Sequence, residues 1–214
     1  MQHDNTLMNN AVPPPISCEH TQTLRILVQE LLPDDQCDEL GRIIDGGSID
    51  FDGFMSLDES MGWACMSSVT VGTSGNYDYR DRDVFRPLQY CNGYFGIMQE
   101  RRDAGWFTRG IVHMSSLHVE ALVSRVSLTH KLPLGRAIRE KVFLQKVDSA
   151  TWIQIDRFRH VYNAAKHDVR HPKDTHLFSC EDAVLAYFVC RAFGIKLRPL
   201  VELHTEFRRE KMDD

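Results

Sequence analysis

The chain has 214 residues, 43% of them hydrophobic, and a formal net charge of −5. That supports one domain core, and the lack of any run of about eighteen apolar residues excludes a transmembrane helix. Residues 1–10 have neither a basic nor an apolar run of the secretory kind, and Cys18, Cys37, Cys65, Cys91, Cys180 and Cys190 include no Cys-x-x-Cys pair. A cytoplasmic protein with reduced thiols is therefore expected, in place of a disulfide framework or zinc ribbon.

Residues 1–15 end in Pro13-Pro14-Pro15, lack apolar periodicity and read as a flexible tail. Ser17 is placed to cap a helix through Leu24, Leu27, Val28, Leu31 and Leu32, stopped by Pro33; Asp34 or Asp35 caps a second that ends near Ile44, with Gly46-Gly47 as its exit. Residues 45–78 are rich in Gly, Ser and Asp and read as an irregular surface excursion or lid. Asp50, Asp52 and Asp58 do not make an EF-hand loop, because Phe54, Met55 and Met61 stand where a ligand, a glycine and a glutamate are required.

From Tyr79 onward the periodicity is helical. The spacing predicts helices over 83–102 and 106–130, the latter with a polar stripe of Arg109, His113, Ser116, Glu120 and Ser127 opposite its apolar side. After Pro133 a short basic helix over 134–143 is expected, then a helix capped by Asp148 or Ser149 that runs to His167. A loop over 170–174 leads to a capping box of Ser179 and Asp182, and a last helix, with Cys180 and Cys190 as small buried hydrophobes, ends at Gly194 as its C′ glycine. The chain thus divides into the tail 1–15, N-terminal helices and excursion over 16–78, and a helical bundle over 79–214; the fold class is all-α, with an irregular N-terminal extension.

Charge is uneven along this plan. Residues 1–60 hold twelve acids against Arg25 and Arg42, whereas 131–170 hold nine lysines and arginines against four acids. Such asymmetry fits a polyanion on the basic part, attraction between the halves, or pairing of two protomers.

The chemistry concentrates in the helix ending at His167. Asp156, His160, Asn163 and His167 fall at i, i+4, i+7 and i+11 on one stripe, beside an apolar stripe of Trp152, Ile155, Tyr162 and Ala165. Three readings stand. His160 and His167 as joint metal ligands would sit about 10.5 Å apart along the axis, too far for one ion, so neither a metal nor a cofactor is expected. His167 as a general acid/base would act with Asn163 and a cation from Lys166 or Arg170 on a phosphodiester. Alternatively these residues cap and staple the helix end.

The run Tyr162-Asn163-Ala164-Ala165-Lys166-His167-Asp168, a polar loop, and Phe178-Ser179-Cys180-Glu181-Asp182-Ala183 resemble the C-terminal part of HEPN-type helical domains. The resemblance covers about residues 134–197 and implies a helical bundle that often dimerises, of a defence or toxin–antitoxin type. Nuclease members cleave RNA without metal, using an arginine and a polar residue a few positions before a histidine. Carried onto this chain, the histidine is His167 and the polar residue Asn163, while Tyr162 stands at the arginine position. Arg159 lies nearly one turn before Tyr162, and Arg170 approaches from beyond His167. The resemblance implies a metal-independent endoribonuclease with His167, Asn163 and Arg159 as catalytic groups and Lys166, Arg170 and His160 binding RNA, as a homodimer. The alternative is a non-catalytic helical module that binds a nucleotide or a protein partner such as an antitoxin.

Overall fold

The computed structural model describes residues 19–45, 49–66, 82–100, 105–129, 132–167 and 178–210. Every regular element among them is an α-helix: α1 (Glu19–Leu31), α2 (Asp34–Ile43), α3 (Phe51–Ser60), α4 (Arg82–Glu100), α5 (Gly105–Val126), α6 (Leu134–Ala137), α7 (Lys141–Lys146), α8 (Ser149–His167) and α9 (Cys180–Glu210). No helix among these residues is long and apolar enough to cross a membrane. The tail expected over 1–15, the Gly46-Gly47 exit and the loop over 170–174 lie outside the described residues.

Two helices organise the packing. α9 is buried without interruption from Ala183 to Phe193, so it is surrounded by neighbours and carries no solvated stripe over that length. α5 packs along both α9 and α4, burying Ile111, Val112, Val119, Leu122, Val123 and Val126. α1 closes the bundle against α9 and α8, and α8 in turn meets α5 and α6. α8 is held through Ile155, Phe158, Val161 and Tyr162, all buried, whereas Trp152 is only half-buried and anchors α8 by donating from its indole nitrogen to the Ile138 carbonyl at 2.8 Å.

The caps follow the sequence in part. Asp148 accepts from the Thr151 backbone N–H at 2.8 Å to start α8, and Ser179 with Asp182 form the reciprocal box that starts α9. Pro33 ends α1 and occupies the N-cap position of α2, so Asp34 and Asp35 lie in that helix's first turn, where their charge suits the dipole.

Three expectations are corrected. The basic segment after Pro133 is not one helix but two short ones, α6 and α7, with a turn between. Gly194 does not end α9, which continues through it and through Pro199; a Cβ on Gly194 would sit 2.6 Å from Nε2 of His118, so the glycine lets α9 approach α5. Residues 51–60 are no surface excursion: Asp50 caps α3 by accepting from the Gly53 N–H at 3.2 Å, and Phe54 packs on Phe95, Tyr187 and Phe188 within the core. Asp58, a calcium-type carboxylate by composition, is wholly buried and ion-paired with Arg191 at 2.7 Å.

Candidate functional site

The polar stripe of α5 does not face solvent alone; much of it faces α8. Arg109 donates from Nε to the Ala165 carbonyl at 2.8 Å, placing a cation at the C-terminal end of α8, where unpaired carbonyls concentrate negative potential. One turn on, the His113 ring stacks on Tyr162, with centroids 5.9 Å apart and planes inclined by 25°. Burial first, then the charges of Lys166 and Arg109, hold His113 below the ordinary histidine range.

Glu120 completes this row. Its carboxylate accepts the Leu134 backbone N–H at 3.0 Å, capping α6, and also hydrogen-bonds the Tyr162 hydroxyl. Burial and the negative charge of Glu120 push the Tyr162 hydroxyl well above its usual range, so it stays a neutral donor. Lys166 lies over the same ring, its Nζ 5.2 Å from the centroid and 3.4 Å from the hydroxyl oxygen. Tyr162 is therefore built into the fold: it is 1% exposed and fixes α8 to α5.

Outside this row, a cleft of about 260 Å³ opens between α8 and the turn carrying α6. From α8 it is lined by Arg159, Tyr162, Asn163, Lys166 and His167; from the other wall by Pro133, Leu134, Gly135, Arg136 and Arg139; Glu120 forms its floor side. Five of these side chains are basic and one is acidic, and the acid already accepts two hydrogen bonds. The surplus of donors over acceptors makes the cleft suited to an anion.

The residues singled out from the sequence distribute as follows. His167, Asn163, Lys166 and Arg159 share the cleft. Arg159 donates from Nε to Asp156 at 2.8 Å and its Nη2 lies 3.2 Å from His160 Nε2, so part of its guanidinium is committed within α8. His160 is exposed and lies outside the cleft lining. Arg170 lies outside the described residues. His167 is exposed at the last position of α8, and among the described residues neither its ring nor the Asn163 amide has a hydrogen-bond partner.

Sequence reasoning passed over Arg136 and Arg139. Their signal was present as basic composition, but α6 spans only four residues, too few for periodicity to show which way they point. Among the described residues no group of three or more His, Cys, Asp or Glu is placed to hold a metal ion.

Compared with protein-family models, with curated proteins and with solved structures, the chain matches none.

Proposed function

We propose that this chain is a HEPN-like helical protein of a defence or toxin–antitoxin type that binds RNA in the α6/α8 cleft and cleaves it without a metal through His167. The observation that carries the reading is the convergence on one opening of an amide, four longer cations and a histidine that has no hydrogen-bond partner among the described residues. In the cleavage, the ribose 2′-oxygen attacks phosphorus as the bond to the leaving 5′-oxygen breaks. His167 either takes the 2′-hydroxyl proton or, when charged, delivers a proton to the 5′-oxygen, giving a 2′,3′-cyclic phosphate and a 5′-hydroxyl. Lys166 and the free edge of Arg159 offset the charge that grows on the phosphoryl oxygens. Two copies associating through the basic face would bring two His167 side chains to one strand, one for each proton transfer. Incubation of varied RNAs with the purified protein in EDTA, followed by end-group analysis, tests this; intact RNA under all conditions rejects the enzyme.

A second reading is favoured by Tyr162. The position that carries arginine in the nuclease pattern is occupied here by a buried side chain bonded to Glu120, and Arg159 is shared with Asp156. These occupants favour a non-catalytic helical module that binds a protein partner or a nucleotide and cleaves nothing.

A further inference from the structure

We infer that the cleft holds two phosphate subsites, and that the pair selects a single-stranded RNA segment over a mononucleotide. This rests on the RNA reading above and extends it to residues outside the His167 motif. The first subsite is Lys166, Asn163 and His167 at the end of α8. The second is Arg136 and Arg139, which line the same opening as Arg159.

Three observations carry the second subsite. Arg136 and Arg139 are exposed and have no carboxylate partner among the described residues, unlike Arg25, Arg42, Arg125 and Arg157, which each hold one. The wall that bears them is fixed, because Glu120 ties the Leu134 N–H to Tyr162 of α8. Gly135 brings that wall close: a Cβ there would lie 3.0 Å from Cδ of Arg159, so a larger residue would push the Arg159 stem away. Along α8, Arg159 and Lys166 are separated by seven residues, about 10.5 Å of axial rise. That exceeds the span of one phosphate group and of two joined through a single ribose, and it fits phosphates more than one nucleotide apart on an extended strand. Arginine presents a planar fork to phosphate oxygens, so the second subsite grips and orients the strand while the first holds the reacting bond.

The test is fluorescence anisotropy of a labelled RNA octamer across a salt series, in the full chain, for wild type, Arg136→Gln/Arg139→Gln and Lys141→Gln. Each lost phosphate contact removes about 0.7 from the slope of log K against log salt on a single strand. The arginine pair variant, which loses one phosphate contact, is expected to lower the slope by about 0.7 and to bind at least tenfold more weakly at low salt, with an unchanged helical circular dichroism spectrum. Adenosine monophosphate is expected to displace the octamer only at concentrations at least a hundredfold higher than unlabelled octamer. Lys141→Gln, exposed and outside the cleft lining, is expected to leave slope and affinity unchanged; an equal loss in that variant would show general charge attraction and overturn the second subsite. Unchanged slope and affinity in the arginine pair variant would overturn the second subsite and leave the RNA reading standing. Adenosine monophosphate or ATP competing as well as the octamer would overturn strand selection, and failure of wild type to bind the octamer would overturn the RNA reading itself.

Discussion

Nε of Arg191 lies 2.7 Å from Oδ1 of Asp58, and both side chains are fully excluded from solvent although 133 residues separate them. The remaining guanidinium donors go to backbone carbonyls of Asp58, Gly62 and Trp63, and the carboxylate also accepts from the Tyr187 hydroxyl and the Met66 N–H. Removing one partner leaves the other charge buried and the carbonyls unserved. Asp58→Ala is therefore expected to cost about 3–5 kcal/mol in urea unfolding, whereas the joint replacement Asp58→Leu/Arg191→Met costs less than the sum of the single changes. Additive losses would show that the pair is not coupled.

His118 gives the fold a pH dependence. Its Nδ1 donates to the Val84 carbonyl at 2.8 Å, while Nε2 is buried without a hydrogen-bond partner among the described residues, beside Gly194 and Trp63. Burial holds its pKa down at about 4, against 6.5 in the unfolded chain. Between those values the unfolded chain carries a proton that the folded chain refuses, so this contribution is fully present above pH 6.5 and is lost as pH falls towards 4. The loss from this group is on the order of 3 kcal/mol. Urea midpoints for wild type between pH 7 and pH 4.5 should fall more steeply than those of His118→Asn; equal slopes would remove His118 as the cause.

Gly194→Ala tests the close approach of α9 to α5. Its methyl group would meet His118 Nε2 at 2.6 Å, and a destabilisation of about 1–3 kcal/mol is expected. Combining it with His118→Ala should relieve part of that loss, as a cycle between touching residues requires. A neutral Gly194→Ala would mean that the two helices part at little cost.

Tyr162→Phe removes the hydroxyl that Glu120 holds and is expected to cost about 1 kcal/mol while loosening the α6 wall. Tyr162→Arg alone is expected to leave cleavage unimproved, since Glu120 would pair with the new guanidinium. Tyr162→Arg/Glu120→Gln frees it for phosphate and is expected to raise the rate. A gain in the single variant, measured in EDTA, would contradict this role for Glu120.

On the proposed ribonuclease reading, His167→Ala abolishes metal-independent RNA cleavage while changing stability by under about 1 kcal/mol, because the side chain is exposed at a helix end. Cleavage that persists in the variant would move the chemistry elsewhere in the molecule.

The helical character of the described residues from Arg82 onward was legible because long amphipathic runs repeat the period of the helix, and the Asp148 and Ser179 caps announce themselves by residue type. The burial of α3 was hidden for the opposite reason: Asp52, Asp58 and Glu59 make 51–60 read as solvated, and only the distant Arg191 makes Asp58 a core residue. Gly194 misled because a helix-ending glycine and a close-packing glycine look alike until the neighbouring helix is known. Of the cleft, the α8 wall could be read from spacing along one helix. The α6 wall could not, since nothing local connects Glu120 to Leu134 or brings Arg136 and Arg139 to the opening that Arg159 lines.

The Asp58–Arg191 contact also sets an order of events during synthesis. With 133 residues between the partners and a chain that grows at about 5–20 residues per second, Asp58 leaves the ribosome roughly 7–27 s before Arg191. Throughout that interval the carboxylate has no cation to enter the core with, and the aromatic face of Phe54 lacks Tyr187 and Phe188. The nascent chain therefore carries an undocked amphipathic α3 until α9 is made.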